Sequence, residues 1–598
     1  MMRFLNSDTV ARAITRSGGL KGGANLVAKR PRRVIGCVGI ALSFVFSGCD
    51  ERPTSIAPLG VQTQGRLVWD SMLRHPALTD WLSYGRDLEG THFSPLTGIT
   101  RENVSTLQLA WAYDFGSIGG RLEGVPLALG GVLYVTTPWG SVVAIDGGTG
   151  ALIWAWESGV PRFGGVLTCC GPVNRGVALY DGQVFVGLLD GRLVALDARS
   201  GDPRWERRTT PLESAYSITG APRIVNGLVV IGNGGAEFGV RGYVTAYDAN
   251  TGRMKWRVYT VPGDPNRPPE SAALEQASRT WFGDWWRFGG GGTAWDGMSF
   301  DAEANQLYVG TGNGSPWSRG HRSQGRGDNL FLASILSLRP ADGQLIWHYQ
   351  VNPGEEWDYT ATQNIILTDL TMDGRRRKVL MQAPKNGFFY VLDRITGELL
   401  SAQKYAAATW AIEVDLVSGR PIETTIARYG STGAWISPGP RGAHSWPPMS
   451  WNPQTGLAYI PGENNDGYYR TSDEFSFSER RHNIGVGGPL PGTAPVRPPV
   501  DGPSGFLLAW NPTSQESVWR VPIDSPDHGG TLSTAGGLVF HAGGDGSLRA
   551  YDADTGDRLW EGEIAVGSGT PMSFGAGGQQ FIAILAGTKL WAFTLFHS

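Results

Sequence analysis

Cys169 and Cys170, adjacent in the chain, are the first residues whose spacing could do chemistry. A disulfide prefers Cα atoms roughly 4.4–6.8 Å apart, whereas neighbours across a trans peptide are about 3.8 Å apart. A bridge between them would need a distorted peptide, and such strain usually survives only where the surroundings impose it, typically at a functional site. Two buried thiols are the alternative that these residues leave open. Further candidates are Glu123, Arg175, Ser217 to Pro222 with Thr219, and Gly232 to Glu237 with Gly235 and Ala236. Gly289 to Asp296 follows, with Thr293 and Trp295, then Asn313 in a glycine-rich stretch, Asp358 in Glu355-Glu356-Trp357-Asp358-Tyr359, and Lys385 in Ala383-Pro384-Lys385-Asn386-Gly387. Carboxylates can act as general bases or bind hard cations, a lysine can stabilise developing negative charge, and an indole offers a stacking face. Taken singly, Glu123, Asp358 and Lys385 read as surface charges, Trp295 as packing and Asn313 as a turn. The 9 His show no zinc spacing, no Cys-x-x-Cys-His offers haem attachment, and no Gly-x-Ser-x-Gly supports a serine hydrolase.

The elements that position these residues come from a repeat. Val143 to Trp154 (VAIDGGTGALIW) recurs in copies ending at Trp205, Trp256, Trp347, Trp519 and Trp560, with degenerate copies at 390–400 and 450–460. The spacing is 51 residues from Trp154 to Trp205 and 51 again to Trp256. Each copy reads as an alternating strand, an Asp-x-x-Thr-Gly turn and a second strand bearing Trp, hence a hairpin. Asp552-x-Asp554-x-Gly556 resembles a calcium loop, but sister copies carry Arg339 or Asn452 in place of Asp552, so it reads as the same turn. A unit of this length repeated about eight times predicts an all-β, eight-bladed β-propeller, with Trp docking between blades and residues before Trp111 pairing with the last blade to close the ring. Residues that break the repeat at strand ends near the axis are then the site candidates.

Composition agrees: Gly is 86 of 598 residues and Pro 37, too many turn formers for a helical bundle. Residues 1–48 hold eight basic side chains against Asp8 alone, which leaves 43 basic and 53 acidic groups in the rest. An acidic body without a basic stripe is a poor nucleic-acid binder, and Arg375 to Lys378 reads as a solvated hairpin end. Arg30, Arg32 and Arg33 precede a 13-residue apolar run, Val34 to Phe46, and then Ser47-Gly48-Cys49-Asp50. That is a secretory signal, too short to span a bilayer, and the Cys49 context is similar to a bacterial lipobox. The expectation is a leader over 1–48, a linker over 49–78 and a propeller over 79–598. It places the protein in the periplasm, touching a membrane only through a lipid on Cys49, with Asp50 hinting at inner-membrane retention.

From about residue 79 to 595 the chain resembles the PQQ-dependent alcohol dehydrogenases, quinoproteins with an eight-bladed propeller. The resemblance runs in order from Trp81-Leu82-Ser83-Tyr84-Gly85 and Phe93-Ser94-Pro95-Leu96, through the vicinal cysteines and Glu356-Trp357-Asp358-Tyr359, to Gly530–Gly537. It implies pyrroloquinoline quinone (PQQ) sandwiched between Trp295 and a Cys169–Cys170 disulfide. Glu123, Arg175, Thr219, Gly235, Ala236 and Thr293 would hold its carboxylates and ring edge, with Lys385 near the reactive carbonyl. Glu237, Asn313 and Asp358 would bind Ca2+, and Asp358 would remove the alcohol proton while hydride passes to the quinone. Lanthanide relatives carry an extra Asp two places after the base. Thr360 stands there, which favours calcium.

The sequence departs from the family at Leu188, Gly171, Ser445-Trp446, His528 and Gly567 to Pro571, changes that bear on cofactor affinity and substrate preference. The implied activity is oxidation of a small alcohol, with electrons leaving to a separate cytochrome c or quinone. A non-catalytic propeller lipoprotein and a PQQ-dependent sugar or polyol dehydrogenase are the alternatives. A scaffold needs none of Glu123, Cys169-Cys170, Glu237, Asn313 or Asp358.

Overall fold

The computed structural model describes residues 67–596, apart from 163–166, 213–214, 491–494, 500–501, 524, 526–527 and 568. The leader, Cys37 and Cys49 lie outside the described residues.

Among the described residues, eight sheets with four antiparallel strands follow in chain order: 127–156, 178–208, 223–259, 298–350, 366–404, 450–523, 531–563 and 572–594, here blades 1 to 8. Burial falls across each blade. The first strand of blade 1, Leu127–Leu129, is wholly buried, while its fourth, Leu152–Trp156, is largely exposed. Gln108–Asp114 is the outermost strand of blade 8, pairing antiparallel with Lys589–Thr594, and Phe93–Ser94 adds a parallel strand to blade 7 beside Ser533 and Thr534. The ring closes as expected, except that the closing strand contains Trp111 instead of ending before it.

The repeat motif explains how the blades adhere. Asp146 Oδ1 accepts from the Gly148 and Thr149 amides and the Thr149 hydroxyl, capping its own turn. Indole N–H groups then reach the turn of the next blade: Trp154 to the Ala198 carbonyl at 3.1 Å, Trp205 to Ala249 at 2.9 Å, Trp256 to Pro340 at 2.7 Å, Trp347 to Arg394 at 3.3 Å and Trp519 to Ala553 at 3.1 Å. The turn glycine lies flat on the same indole. Gly201 has φ +78°, and a Cβ there would stand 2.6 Å from Trp154. Blade 5 lacks the Trp, having Ser401 in its place, and blade 6 lacks the glycine. Gln515 occupies that position with φ +58° and donates to Ser401 Oγ at 2.8 Å, so a polar contact replaces the missing stack. Asp552 Oδ1 accepts from the Asp554 and Thr555 amides, the ordinary turn.

The expected linker boundary moves. Val68 and Leu73 are 1% and 3% exposed, Leu73 lies within helix Asp70–Arg74, and the Val68 carbonyl accepts from the Asp181 amide of blade 2. Packing on the ring therefore begins by 68, about ten residues before the expected boundary. Among the described residues, no helix is long and apolar enough to cross a membrane.

Candidate active site

Antiparallel pairing puts two recurring segments at the same end of the ring: the connection entering each blade's first strand, and the loop joining its second and third strands. Every candidate side chain comes from one of them. Glu123, Cys169, Cys170, Arg175, Thr219, Thr293, Trp295 and Asp358 lie on connections into blades 1 to 5, and Gly235, Ala236, Glu237, Asn313 and Lys385 on second-to-third-strand loops of blades 3 to 5. All of them line one cavity of about 430 Å³. The Asp-x-x-Thr-Gly turns lie at the opposite end.

Main-chain bonds hold one wall in register. The Val125 amide donates to the Arg175 carbonyl at 3.2 Å, and the Arg175 amide to the Thr219 carbonyl at 3.0 Å. Glu123 is 2% exposed and accepts from Arg175 Nη2 at 2.8 Å, with Arg121 3.4 Å away. Burial raises the Glu123 pKa while Arg175 and Arg121 oppose it. Asp296 stands 3.8 Å from Arg175 Nε and 3.1 Å from Arg223. The Arg175 guanidinium lies 4.9 Å from the Trp295 ring centre and 5.8 Å from that of Trp446. Its Nε and Nη1 are buried without a hydrogen-bond partner. A buried guanidinium with two unused N–H groups is costly alone and matches a planar anion. Gly235 begins the turn Ala236–Phe238 with φ +101°, and a Cβ there would meet the Ala215 carbonyl at 2.5 Å.

The opposite wall gathers oxygens. Asn313 Nδ2 donates to Glu237 Oε1 at 2.9 Å, and Trp317 Nε1 to the same oxygen at 3.4 Å. Lys385 Nζ donates to Asp358 Oδ2 at 2.9 Å, the Asp358 carbonyl at 3.0 Å and the Pro440 carbonyl at 2.9 Å, so its three protons are all engaged. Its immediate task is to hold Asp358. Burial pushes the Asp358 carboxyl well above the usual carboxylate range, with Lys385 opposing and Glu237 adding. Asp358 has φ +65°, uncommon for a side-chain-bearing residue and frequent at functional sites. Among the described residues, no group of three His, Cys, Asp or Glu side chains is placed to hold a metal. Any cation here would lean on Asn313 and on oxygens from a bound partner.

Cys169 and Cys170 are free thiols with Sγ atoms 2.7 Å apart, and both are exposed. The structure thus holds the dithiol, exposed rather than buried. Gly171, Ser445, Trp446, His528 and Gly567 line the cavity, so these departures touch the site. Leu188 does not line it; fully buried, it packs in the apolar core. Trp317, Ser217, Arg441, Glu463 and His482 also line the cavity, and the sequence reading assigned them no role. Ser217 sits in the segment that yielded Thr219. Trp317 is one of 23 Trp and carries no signal of its own.

Residues 81–409 and 502–582 match the family described as "PQQ: Glucose/ethanol/alcohol dehydrogenase, beta-propeller domain". The chain is 51% identical over 510 residues to quinohemoprotein alcohol dehydrogenase ADH IIB of Pseudomonas putida, covering 85% of this chain and 73% of that protein. It is 43% identical over 517 residues to the 1-butanol dehydrogenase (cytochrome c) of Thauera butanivorans, covering 85% and 74%. The crystal structure of quinohemoprotein alcohol dehydrogenase from Comamonas testosteroni superposes with a TM-score of 0.84 at 43% identity, over 88% of this chain and 82% of that one. A cavity within an eight-bladed ring agrees with these matches: the chain belongs to the PQQ-dependent alcohol dehydrogenase family and is an oxidoreductase of that kind.

Proposed function

We propose that this protein is an exported dehydrogenase that oxidises a small alcohol using PQQ and Ca2+ at the hub cavity, and passes electrons to a separate cytochrome c or quinone. The observation that carries this reading is Arg175, buried at the cavity with two nitrogens that make no hydrogen bond, in a lining that also holds the oxygen donors Glu237, Asn313 and Asp358. A dianionic or trianionic flat cofactor answers the first feature and a hard cation the second. Glu237, Asn313 and Asp358 supply only part of the six to eight oxygens that Ca2+ takes, so the cofactor's own oxygens would complete the shell. Thr360, which accepts from Thr362 and Gln363, adds no charge there, in keeping with a divalent ion.

When bound, PQQ supplies an electrophilic carbonyl that accepts two electrons as hydride, and Ca2+ polarises it. The rest is done by side chains. Arg175, Thr219, Thr293, Glu123 and the Gly235-Ala236 backbone would fix the cofactor's edge, with Trp295 on one face and the Cys169-Cys170 pair on the other. Asp358 would take the alcohol proton at Oδ1, which accepts no hydrogen bond among the described residues, while Lys385 holds Oδ2. Lys385 must surrender one of its three bonds if it is also to meet charge developing on the reacting oxygen. The volume of about 430 Å³ suits a flat cofactor with a small substrate. The Thauera relative, whose name specifies cytochrome c, supports that acceptor. The basic, apolar and Ser47-Gly48-Cys49 sequence supports export and a lipid on Cys49.

Asp358→Asn tests the assignment. The expected result is a loss of turnover of roughly 10²–10⁴-fold, with the PQQ absorption band retained. Unchanged turnover would refute Asp358 as the base.

A further inference from the structure

We propose that Glu355 is a positioning residue that sets Asp358 and Asn313 in register. The inference rests on the cation-site and base assignments above. Glu355 is fully buried, and its carboxylate accepts three main-chain N–H bonds. Oε1 takes those of Trp357 at 2.7 Å and Tyr359 at 2.9 Å, and Oε2 that of Gly314 at 2.9 Å.

The first two amides flank Asp358. Between them the chain turns through φ +65°, a conformation that costs on the order of 1–3 kcal/mol unless the surroundings impose it. Two bonds to one charged oxygen impose it. The third amide follows Asn313, so a single carboxylate ties the connection entering blade 5 to the second-to-third-strand loop of blade 4.

Arg322 completes the platform. Its fully buried guanidinium donates to Glu355's own carbonyl, to the Pro316 and Trp317 carbonyls at 2.5 and 2.8 Å, and to Asn329 Oδ1. It therefore supplies compensating positive charge and leaves the carboxylate oxygens to the amides. Trp317, held in this way, donates to Glu237. Glu355 and Arg322 together are thus linked by hydrogen bonds to the segments of all three proposed cation ligands, to Glu237 through Trp317.

A carboxylate offers two acceptor oxygens, whereas Gln offers one oxygen and an N–H₂ group. Glu355→Gln must aim its N–H₂ either at the Gly314 amide or at the Trp357 and Tyr359 amides together, and so loosen either the tie to Asn313 or the Asp358 turn. The neighbouring Glu356 is an internal control: it is buried too, but its carboxylate faces Arg428 at 3.4 Å.

The test uses full-length apo-protein carrying Glu355→Gln, Glu355→Asp, Glu356→Gln or Asp358→Asn, reconstituted with PQQ and titrated with Ca2+. Binding is followed by the cofactor's absorption band, kcat and KM are measured separately, and melting temperature monitors the fold. Glu355→Gln is expected to raise the half-saturating Ca2+ concentration and lower kcat, each by roughly 10–100-fold, with KM for the alcohol nearly unchanged. Glu355→Asp should fall between it and wild type, and Glu356→Gln should stay within about twofold of wild type in Ca2+ titration, a small change beside the 10–100-fold expected of a positioning group. A wild-type Ca2+ titration and kcat for Glu355→Gln would overturn the proposal. If Glu355→Gln does not fold, Glu355→Asp decides: a weakened Ca2+ titration supports the role and a wild-type one overturns it. An active Asp358→Asn would remove the site assignment and this inference with it. An inactive Asp358→Asn beside a wild-type Glu355→Gln would remove this inference alone.

Discussion

Arg175 and Lys385 are both buried cations at the cavity, but their geometry gives them different work. Lys385 spends its three protons inside the protein, two of them on Asp358, whereas Arg175 leaves two N–H groups unused. Arg175→Lys should therefore weaken PQQ binding by about tenfold or more in absorption titration, because a point charge cannot reproduce the planar fork. Lys385→Met should lower kcat by about 10²–10³-fold while leaving PQQ bound, since it frees Asp358 Oδ2 without touching the Arg175 wall. Retained kcat would show that Lys385 is packing only. The candidate residues were legible because each interrupts a repeat whose other copies are plain turns, and interruption at a strand end is a local signal. Trp317 and Glu355 were not legible as site supports. The Trp317 partner Glu237 lies 80 residues away, and of the three amides that Glu355 holds the one that ties it to the Asn313 loop, Gly314, lies 41 residues away, so only folding brings them together. The cysteines show a different limit: adjacency alone left a disulfide and two buried thiols open, and the structure shows thiols that are exposed.

Among the structural elements, the third-to-fourth-strand turns are the adhesive of the ring, and the connections into the blades together with the second-to-third-strand loops carry its chemistry. Gly201→Ala puts a methyl group 2.6 Å from Trp154 and a side chain at φ +78°. It should cost on the order of 1–3 kcal/mol in denaturant unfolding while leaving PQQ affinity unaltered, because the turn lies at the end remote from the cavity. A loss of cofactor affinity without a loss of stability would contradict this division. The sequence spacing of 51 residues was enough to read the hairpins and the docking Trp, since both are local and repeated. The exchange of Trp for Ser401 appeared only as the degenerate copy at 390–400 and that of Gly for Gln515 lay unremarked in the copy ending at Trp519, and the compensation across the blade 5 to blade 6 interface is visible in three dimensions alone. Helix Asp70–Arg74 was missed because five residues with one buried Leu offer no periodicity.

At the scale of the whole molecule, an acid limit is built into the buried histidines. Burial pushes His92 down to about 3 and His528 to about 4, and it lowers His541 as well. These rings stay neutral in the folded ring while the unfolded chain takes up protons near pH 6.5. Their contribution to stability is thus fully present above about 6.5 and is lost as pH falls toward 4, by about 1.4 kcal/mol per pH unit for each. Burial lifts the Glu89 carboxyl to about 7, which has the opposite slope, so the histidine part is read by difference: melting temperature should fall less between pH 7 and pH 5 in His92→Gln than in the wild type, and equal slopes would contradict the burial argument. The eight-bladed architecture was legible from the repeat, whereas what fills its hub was not: that inference needs all the interruptions at once, and the cavity is where they meet. The most direct test is to add PQQ and Ca2+ to the metal-free apo-protein and follow dye-linked oxidation over a panel of alcohols, aldehydes and polyols. The account predicts a cofactor absorption band and alcohol-dependent dye reduction that both require Ca2+. Neither band nor turnover with PQQ and Ca2+ present would contradict it and leave the ring as a scaffold.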